Sequence, residues 1–214
     1  MGTSKQTTPS IANRIVREPT QRRSRETLDQ IVAAAITILQ RDGDSGFTIA
    51  KVAAEAKVST GVLYSNFEGK TQLILAVKDL ILGSVEESVS KAMSRGFESM
   101  DEAVYAYTSV IASELERDGR ALRNLIFSPD EQQAARGGQA WTATRAALEA
   151  ALEPFADEIA HPDPRKAIRI VSRTTTATLI HSTASLTPDD GISWQELAGE
   201  LAAMTVNYLR SSSQ

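Results

Sequence analysis

Apolar residues along this chain recur at intervals of three and four, the spacing of one face of an α-helix. From Gln21 the set Leu28, Ile31, Val32, Ala35, Ile38 and Leu39 marks a first helix. The stretch RDGDSG (Arg41–Gly46) ends it, with Gly43 as a left-handed C-cap. Thr48 caps a second, short helix whose inner face is Ile49, Val52, Ala53 and Ala56. Ser59 caps a third, closed by NFEGK, and Lys70 opens a fourth with Leu73, Val77, Leu80 and Ile81 in register. Further on, the pattern predicts a helix over roughly 100–117 (Val104, Tyr107, Val110, Ile111, Leu115) and a short one over RALRNLIF, stopped by Pro129. Another runs to Phe155 with Trp141, Leu148 and Leu152 on one face. HPDP (His161–Pro164) breaks the chain, and Pro164 suits the start of the next helix. Two last helices follow over about 165–186 and 193–210, separated by the turn TPDDG. No stretch shows sustained period-two alternation, so the pattern predicts an all-α fold. Residues 1–20 are polar, proline-punctuated and aperiodic, and are expected to form a flexible arm.

Composition narrows the chemistry. The 214 residues include no cysteine, which excludes disulfides, thiolate nucleophiles and cysteine-ligated metals. Two histidines, His161 and His181, make a poor metal constellation, and no cofactor or metal is expected. Nothing matches a nucleophile–base–orienter set, a P-loop or a dinucleotide fingerprint, so an enzyme is not expected. The paired acids Glu86-Glu87 and Asp189-Asp190 read as solvated faces or turns. No apolar run is long enough to cross a bilayer and no signal-peptide core opens the chain, so a cytoplasmic protein without a membrane partner is expected. The net charge of −4 is uneven. Residues 1–70 carry 10 Lys/Arg against 7 Asp/Glu, and residues 71–214 carry 13 against 20. A basic front and an acidic rear suggest different partners for the two parts.

The second and third helices carry the chemistry. Two short helices joined by three or four residues, the second capped by Ser59, match a helix-turn-helix, whose second helix meets base edges in the major groove. Within VSTGVLYSNFEGK (Val58–Lys70), Val58, Leu63 and Phe67 point inward together. Thr60, Gly61, Tyr64 and Ser65 then point outward. Small residues let a helix approach closely, and hydroxyls donate to phosphate oxygens, which fix register. A positively polarised helix start adds attraction for phosphate.

The segment FTIAKVAAEAKVSTGVLYSNFEGKTQLI (Phe47–Ile74) resembles the DNA-binding signature of the TetR family of bacterial transcriptional regulators. The matching positions are Thr48, Val52-Ala53, Ala56-Lys57-Val58-Ser59, Gly61, Leu63-Tyr64, Phe67, Lys70 and Leu73. Lys57 stands where the family usually has a turn glycine, Thr60 where lysine is common, and Asn66 where histidine is frequent. A left-handed backbone at Lys57 would cost about 1 kcal/mol, and its ammonium could face DNA instead. The resemblance implies phosphate contacts from Tyr64 and Lys70, with Thr48 both cap and donor. Thr60 and Gly61 are the candidates nearest the bases; Lys57, Ser59, Ser65 and Asn66 complete the DNA-facing set. Arg22, Arg23 and Arg25 touch phosphate or a minor groove, or else form a solvated basic helix start.

The resemblance also implies an organisation: an arm at 1–20, a three-helix DNA-binding domain at 21–69, and a larger helical effector-binding and dimerisation domain at 70–214. Tyr105, Phe127, Trp141, Arg145, Arg173 and His181 are the candidates to line an effector pocket, with core packing or surface exposure the competing reading for each. The acidic body hints at a neutral or cationic effector. Thr178, Ser182, Leu197, Leu201, Met204 and Tyr208 are the candidates for a homodimer interface, against completion of the monomer core. The implied function is a repressor released from a pseudo-palindromic double-stranded operator by a small molecule, with the fourth helix as lever. An activator, or a regulator answering to a protein partner, is the alternative; a helical interaction module or an enzyme lies outside the class.

Overall fold

The computed structural model describes residues 22–126, 131–184 and 191–211. The expected arm at 1–20 lies outside them. Among the described residues all regular structure is helical: α1 (Arg22–Gly46), α2 (Ile49–Glu55), α3 (Thr60–Asn66), α4 (Lys70–Met93), α5 (Met100–Ile126), α6 (Glu131–Leu152), a 3-10 segment (Glu153–Glu158), α7 (Pro164–Ala184) and α8 (Trp194–Arg210). The chain divides into two compact units after Leu80, inside α4. The sequence reading put the boundary at 69/70, where α4 begins.

In the first unit α1 packs on α2 and α2 on α3. Ile31, Ala35, Ile38, Leu39, Phe47, Val52, Leu63, Phe67, Leu73 and Val77 are shut from solvent there. Gly43 leaves helical geometry at a φ of 66°, so the α1 hydrogen-bond ladder is interrupted where RDGDSG was expected to end it. Just before the kink, Asp42 accepts from Lys51 Nζ at 2.9 Å, which ties the end of α1 to the start of α2, and from its neighbour Arg41 Nε at 2.8 Å. Leu80, expected inside with Leu73, Val77 and Ile81, is 55% exposed.

In the second unit α5 is one helix, not two: Gly119 does not interrupt Met100–Ile126. An interior glycine costs a helix only about 1 kcal/mol, less than a buried amphipathic face returns. Val104, Tyr107, Ile111 and Leu115 form that face. α6 stops at Leu152, before the expected Phe155, because Pro154 enters the following 3-10 turn. α8 starts with a capping box, in which Ser193 Oγ accepts from Glu196 N at 3.2 Å and the Glu196 carboxylate accepts from Ser193 N at 2.8 Å. These bonds to Ser193 hold the Glu196 carboxyl below its usual range. Polar ties lock α4 to its neighbours within this unit. Arg136 grips Glu86 with two bonds of 2.8 and 3.0 Å, so Glu86 is not the solvated acid expected. Buried Glu114 accepts from Ser88 Oγ at 2.9 Å and pairs with Arg117.

Candidate nucleic-acid interface

The turn between α2 and α3 is built by hydrogen bonds that demand a left-handed residue. Val58 N donates to Ala53 O at 3.0 Å and Lys57 N to Ala54 O at 3.2 Å, the paired bonds of a Schellman motif. Lys57 occupies the position that motif reserves for glycine and has a φ of 56°. The αL region crowds Cβ against the following carbonyl, so lysine is strained here. Its side chain is exposed.

The turn delivers the chain to Ser59, whose Oγ accepts from Val62 N at 3.3 Å and starts α3. Thr48 does the same for α2, accepting from Lys51 N at 3.2 Å. Both caps are exposed, so each hydroxyl keeps its proton available to an outside acceptor. Buried Leu63 and Phe67 anchor α3, with Val58 half-buried beside them. The opposite surface carries Thr60, Gly61, Tyr64 and Ser65, all exposed, with Tyr64 at 61%. A Cβ added to Gly61 would meet nothing nearer than Ser59 Oγ at 3.7 Å. No described neighbour therefore requires a glycine at this position.

Two of the expected donors are engaged internally. Ser65 Oγ donates to Val62 O at 2.8 Å, and Asn66 Nδ2 donates to the same carbonyl at 2.7 Å. Both fold back onto their own helix, three and four residues along the chain. Lys70 is half-buried at the first turn of α4, its ammonium 5.7 Å from the centre of the Phe47 ring. A cation at a helix start is unfavourable with respect to the helix dipole, and the ring face offsets part of that. Arg22, Arg23 and Arg25 lie in the first turn of α1, their side chains outside the described residues.

The pocket candidates differ in exposure. Tyr105 is 45% exposed, Arg173 and His181 are exposed, and Trp141 and Arg145 are half-buried on α6. Phe127 lies outside the described residues. The sequence missed a polar cluster inside the body. The Tyr107 hydroxyl, fully buried, bonds Thr176 Oγ1, and Thr176 Oγ1 in turn donates to Ser172 O at 2.7 Å. Ser172 Oγ donates to Glu149 Oε1 at 2.8 Å. Burial pushes the Tyr107 phenol up to about 12 despite these bonds. A tyrosine at a core position of α5 needs a buried partner for its hydroxyl. The threonine run Thr174–Thr176 was the available signal.

α8 has two faces. Ala198, Ala202, Thr205, Val206 and Leu209 are buried, and α5 is its principal neighbour. Leu197 and Leu201 are half-buried, while Met204 is 66% exposed and Tyr208 also reaches solvent. On α7, Thr178 is exposed and Ser182 half-buried. Their hydroxyls donate to carbonyls four residues back, at 2.9 and 2.8 Å.

α2, its left-handed turn and α3 together have the geometry of a helix-turn-helix. Residues 31–77 match the family described as bacterial regulatory proteins, tetR family. The match agrees with the resemblance seen in the signature residues: residues 31–77 are similar to TetR-family regulatory proteins, on an all-helical scaffold. Over 100 residues it is 30% identical to the HTH-type transcriptional regulator HbdR of Aromatoleum sp. (strain CIB). That match covers 45% of this chain and spans 43% of the relative's length. The fold is similar to that of the regulator FadR from Bacillus subtilis, solved in complex with stearoyl-CoA (TM-score 0.70, 16% identity, 84% of this chain and 98% of that one). It is also similar to the TetR-family regulator PfmR from Thermus thermophilus (TM-score 0.65, 17% identity, 92% and 100%). No described helix is long and apolar enough to cross a membrane, and no described cluster of His, Asp and Glu could hold a metal ion.

Proposed function

We propose that this protein is a cytoplasmic transcriptional repressor that binds a pseudo-palindromic operator as a homodimer and is released by a small-molecule effector. The observation that carries this reading is the α3 surface: an exposed Thr60–Gly61–Tyr64 face held rigid by buried Leu63 and Phe67. Thr48, Tyr64 and Lys70 are assigned to phosphates; Thr60 and Gly61 lie nearest the bases, and Lys57 and Ser59 flank them. Ser65 and Asn66 reach DNA only by surrendering their bonds to Val62 O. The basic residues Arg22, Arg23 and Arg25 add phosphate or minor-groove contacts.

Dimerisation is assigned to the open faces of α7 and α8. Met204 and Tyr208 expose apolar surface that the monomer leaves uncovered, and the Thr178 and Ser182 hydroxyls bond their own helix, so that face can pack dry. Effector release requires a ligand that favours one conformation of the body over the other. α4 is the lever assigned to that coupling, since one continuous helix serves both units. The test is selection of genomic DNA fragments by the purified protein at physiological salt, followed by affinity titration of the recovered site. An inverted repeat, bound more weakly with a saturating effector, is the expected result. No enriched sequence from folded protein would refute the DNA-binding reading, and equal affinity with and without an effector would refute the release mechanism.

A further inference from the structure

The seven residues of α3 are TGVLYSN. None is Arg, Lys, Gln, Asp or Glu, the side chains that grip a base edge by charge or by a two-pronged fork. Asn66 is the one residue of α3 with an amide, the group that forks onto adenine. Its Nδ2 donates to Val62 O at 2.7 Å and to Ser65 Oγ at 3.3 Å. An amide nitrogen carries two hydrogens, so both are engaged inside the helix, and the side chain is half-buried. Ser65 Oγ has given its own proton to Val62 O at 2.8 Å. What α3 still offers outward is Thr60, Gly61 and Tyr64, all exposed. No hydrogen bond holds the Thr60 or Tyr64 side chain among the described residues. Tyr64 is assigned to phosphate above, as is Lys57 in the turn before α3, and Gly61 has no side chain. Thr60 therefore remains for the bases. Its hydroxyl both donates and accepts, so it meets base edges of either kind and discriminates poorly among them. Its methyl group gains only by meeting hydrocarbon. In the major groove of unmodified DNA the thymine 5-methyl is the methyl group the edges display.

We propose that Thr60 is the specificity-determining residue of α3 and that it reads a thymine in each operator half-site through contact between the two methyl groups, with no two-pronged hydrogen bond to a purine. The inference rests on the DNA-binding reading above and deepens it by naming the chemistry of the base recognised.

The test uses the full chain and the operator recovered by the selection described above, with affinities measured by fluorescence anisotropy at one fixed salt concentration. Each thymine is replaced in turn by uracil, which removes the methyl and keeps every hydrogen-bonding group. Each purine is replaced in turn by its 7-deaza analogue, which removes the N7 acceptor. Uracil at one position is expected to weaken binding about fourfold, and about fifteenfold when both half-sites carry it, the effect of exposing one and two buried methyl groups. The 7-deazapurines are expected to leave affinity within about threefold of the parent operator. Thr60→Ser keeps the hydroxyl and drops the methyl at an exposed position, so its helicity should match the parent's. It is expected to bind the thymine and uracil operators equally, which closes the double-mutant cycle on the pair. A 7-deazapurine that costs more than any uracil would overturn the proposal by showing a fork from Asn66 or Lys57. No loss with any uracil, or the same uracil loss in Thr60→Ser as in the parent, would overturn it too. In each of those cases an operator is still bound and the DNA-binding reading stands. Folded protein that selects no operator refutes both.

Discussion

Replacing Lys57 by glycine should stabilise the first unit and weaken DNA binding at once. The backbone at this position is left-handed, with a φ of 56°, and the two hydrogen bonds of the turn hold it there. For a residue with a Cβ this conformation costs about 1–2 kcal/mol. Glycine adopts it freely but loses more chain entropy on folding, an offset of about 0.4–1 kcal/mol. The net expectation is a gain of about 0.5–1 kcal/mol, since the exposed lysine side chain holds no partner among the described residues. Urea unfolding followed by far-ultraviolet circular dichroism would show it as a midpoint shift of about 0.2–0.5 M. The strain is retained for a reason if the ammonium meets a phosphate. Each phosphate that the protein no longer neutralises lowers the slope of log affinity against log salt by about 0.9, and a dimer would give up two. Operator titrations of both proteins between low and physiological salt would read that change directly. Unchanged or lower stability would refute the strain argument; higher stability with the parent's affinity and salt slope would refute the phosphate contact.

Tyr64→Phe and Lys70→Ala should each weaken operator binding by about 3- to 10-fold, with dimerisation and helicity unchanged; parent-like affinity in both would remove the phosphate assignments. Gly61→Ala meets only ordinary contact with Ser59 Oγ at 3.7 Å, so it should raise stability by about 0.5–1 kcal/mol. It should still cut operator affinity at least about tenfold by holding the α3 backbone off the DNA, and undiminished affinity would deny the close approach. Asp42 has a carboxyl held down to about 2 by its hydrogen bond to Arg41 and then by Lys51, against an ordinary value of 3.8. Its contribution to stability is therefore complete above the ordinary value and lost as pH falls through about 2. The difference in melting temperature between parent and Asp42→Asn should be constant above about pH 5 and shrink on acidification, and a constant difference down to about pH 2 would refute the assignment.

The periodic face of α1, the caps Thr48 and Ser59, and the inward pair Leu63 and Phe67 were legible in the sequence because each depends on neighbours within a turn or two. The left-handed position at Lys57 was legible through its place in the signature, and the backbone carries it despite the residue. What reached beyond one helix was not legible. Whether a glycine stops a helix depends on the packing it would forfeit: α5 runs through Gly119, while α6 stops before Pro154, which removes a donor and clashes with the preceding turn. Glu86 read as solvated until a residue 50 positions away supplied its guanidinium partner. The same holds for Tyr107, 69 positions from Thr176, and Leu80, whose helical register matched the core, stands 55% exposed. Periodicity specifies which face of each helix is apolar. Which polar groups that face encloses, and which of them lack a partner, is decided when helices distant in sequence pack together and water is excluded between them.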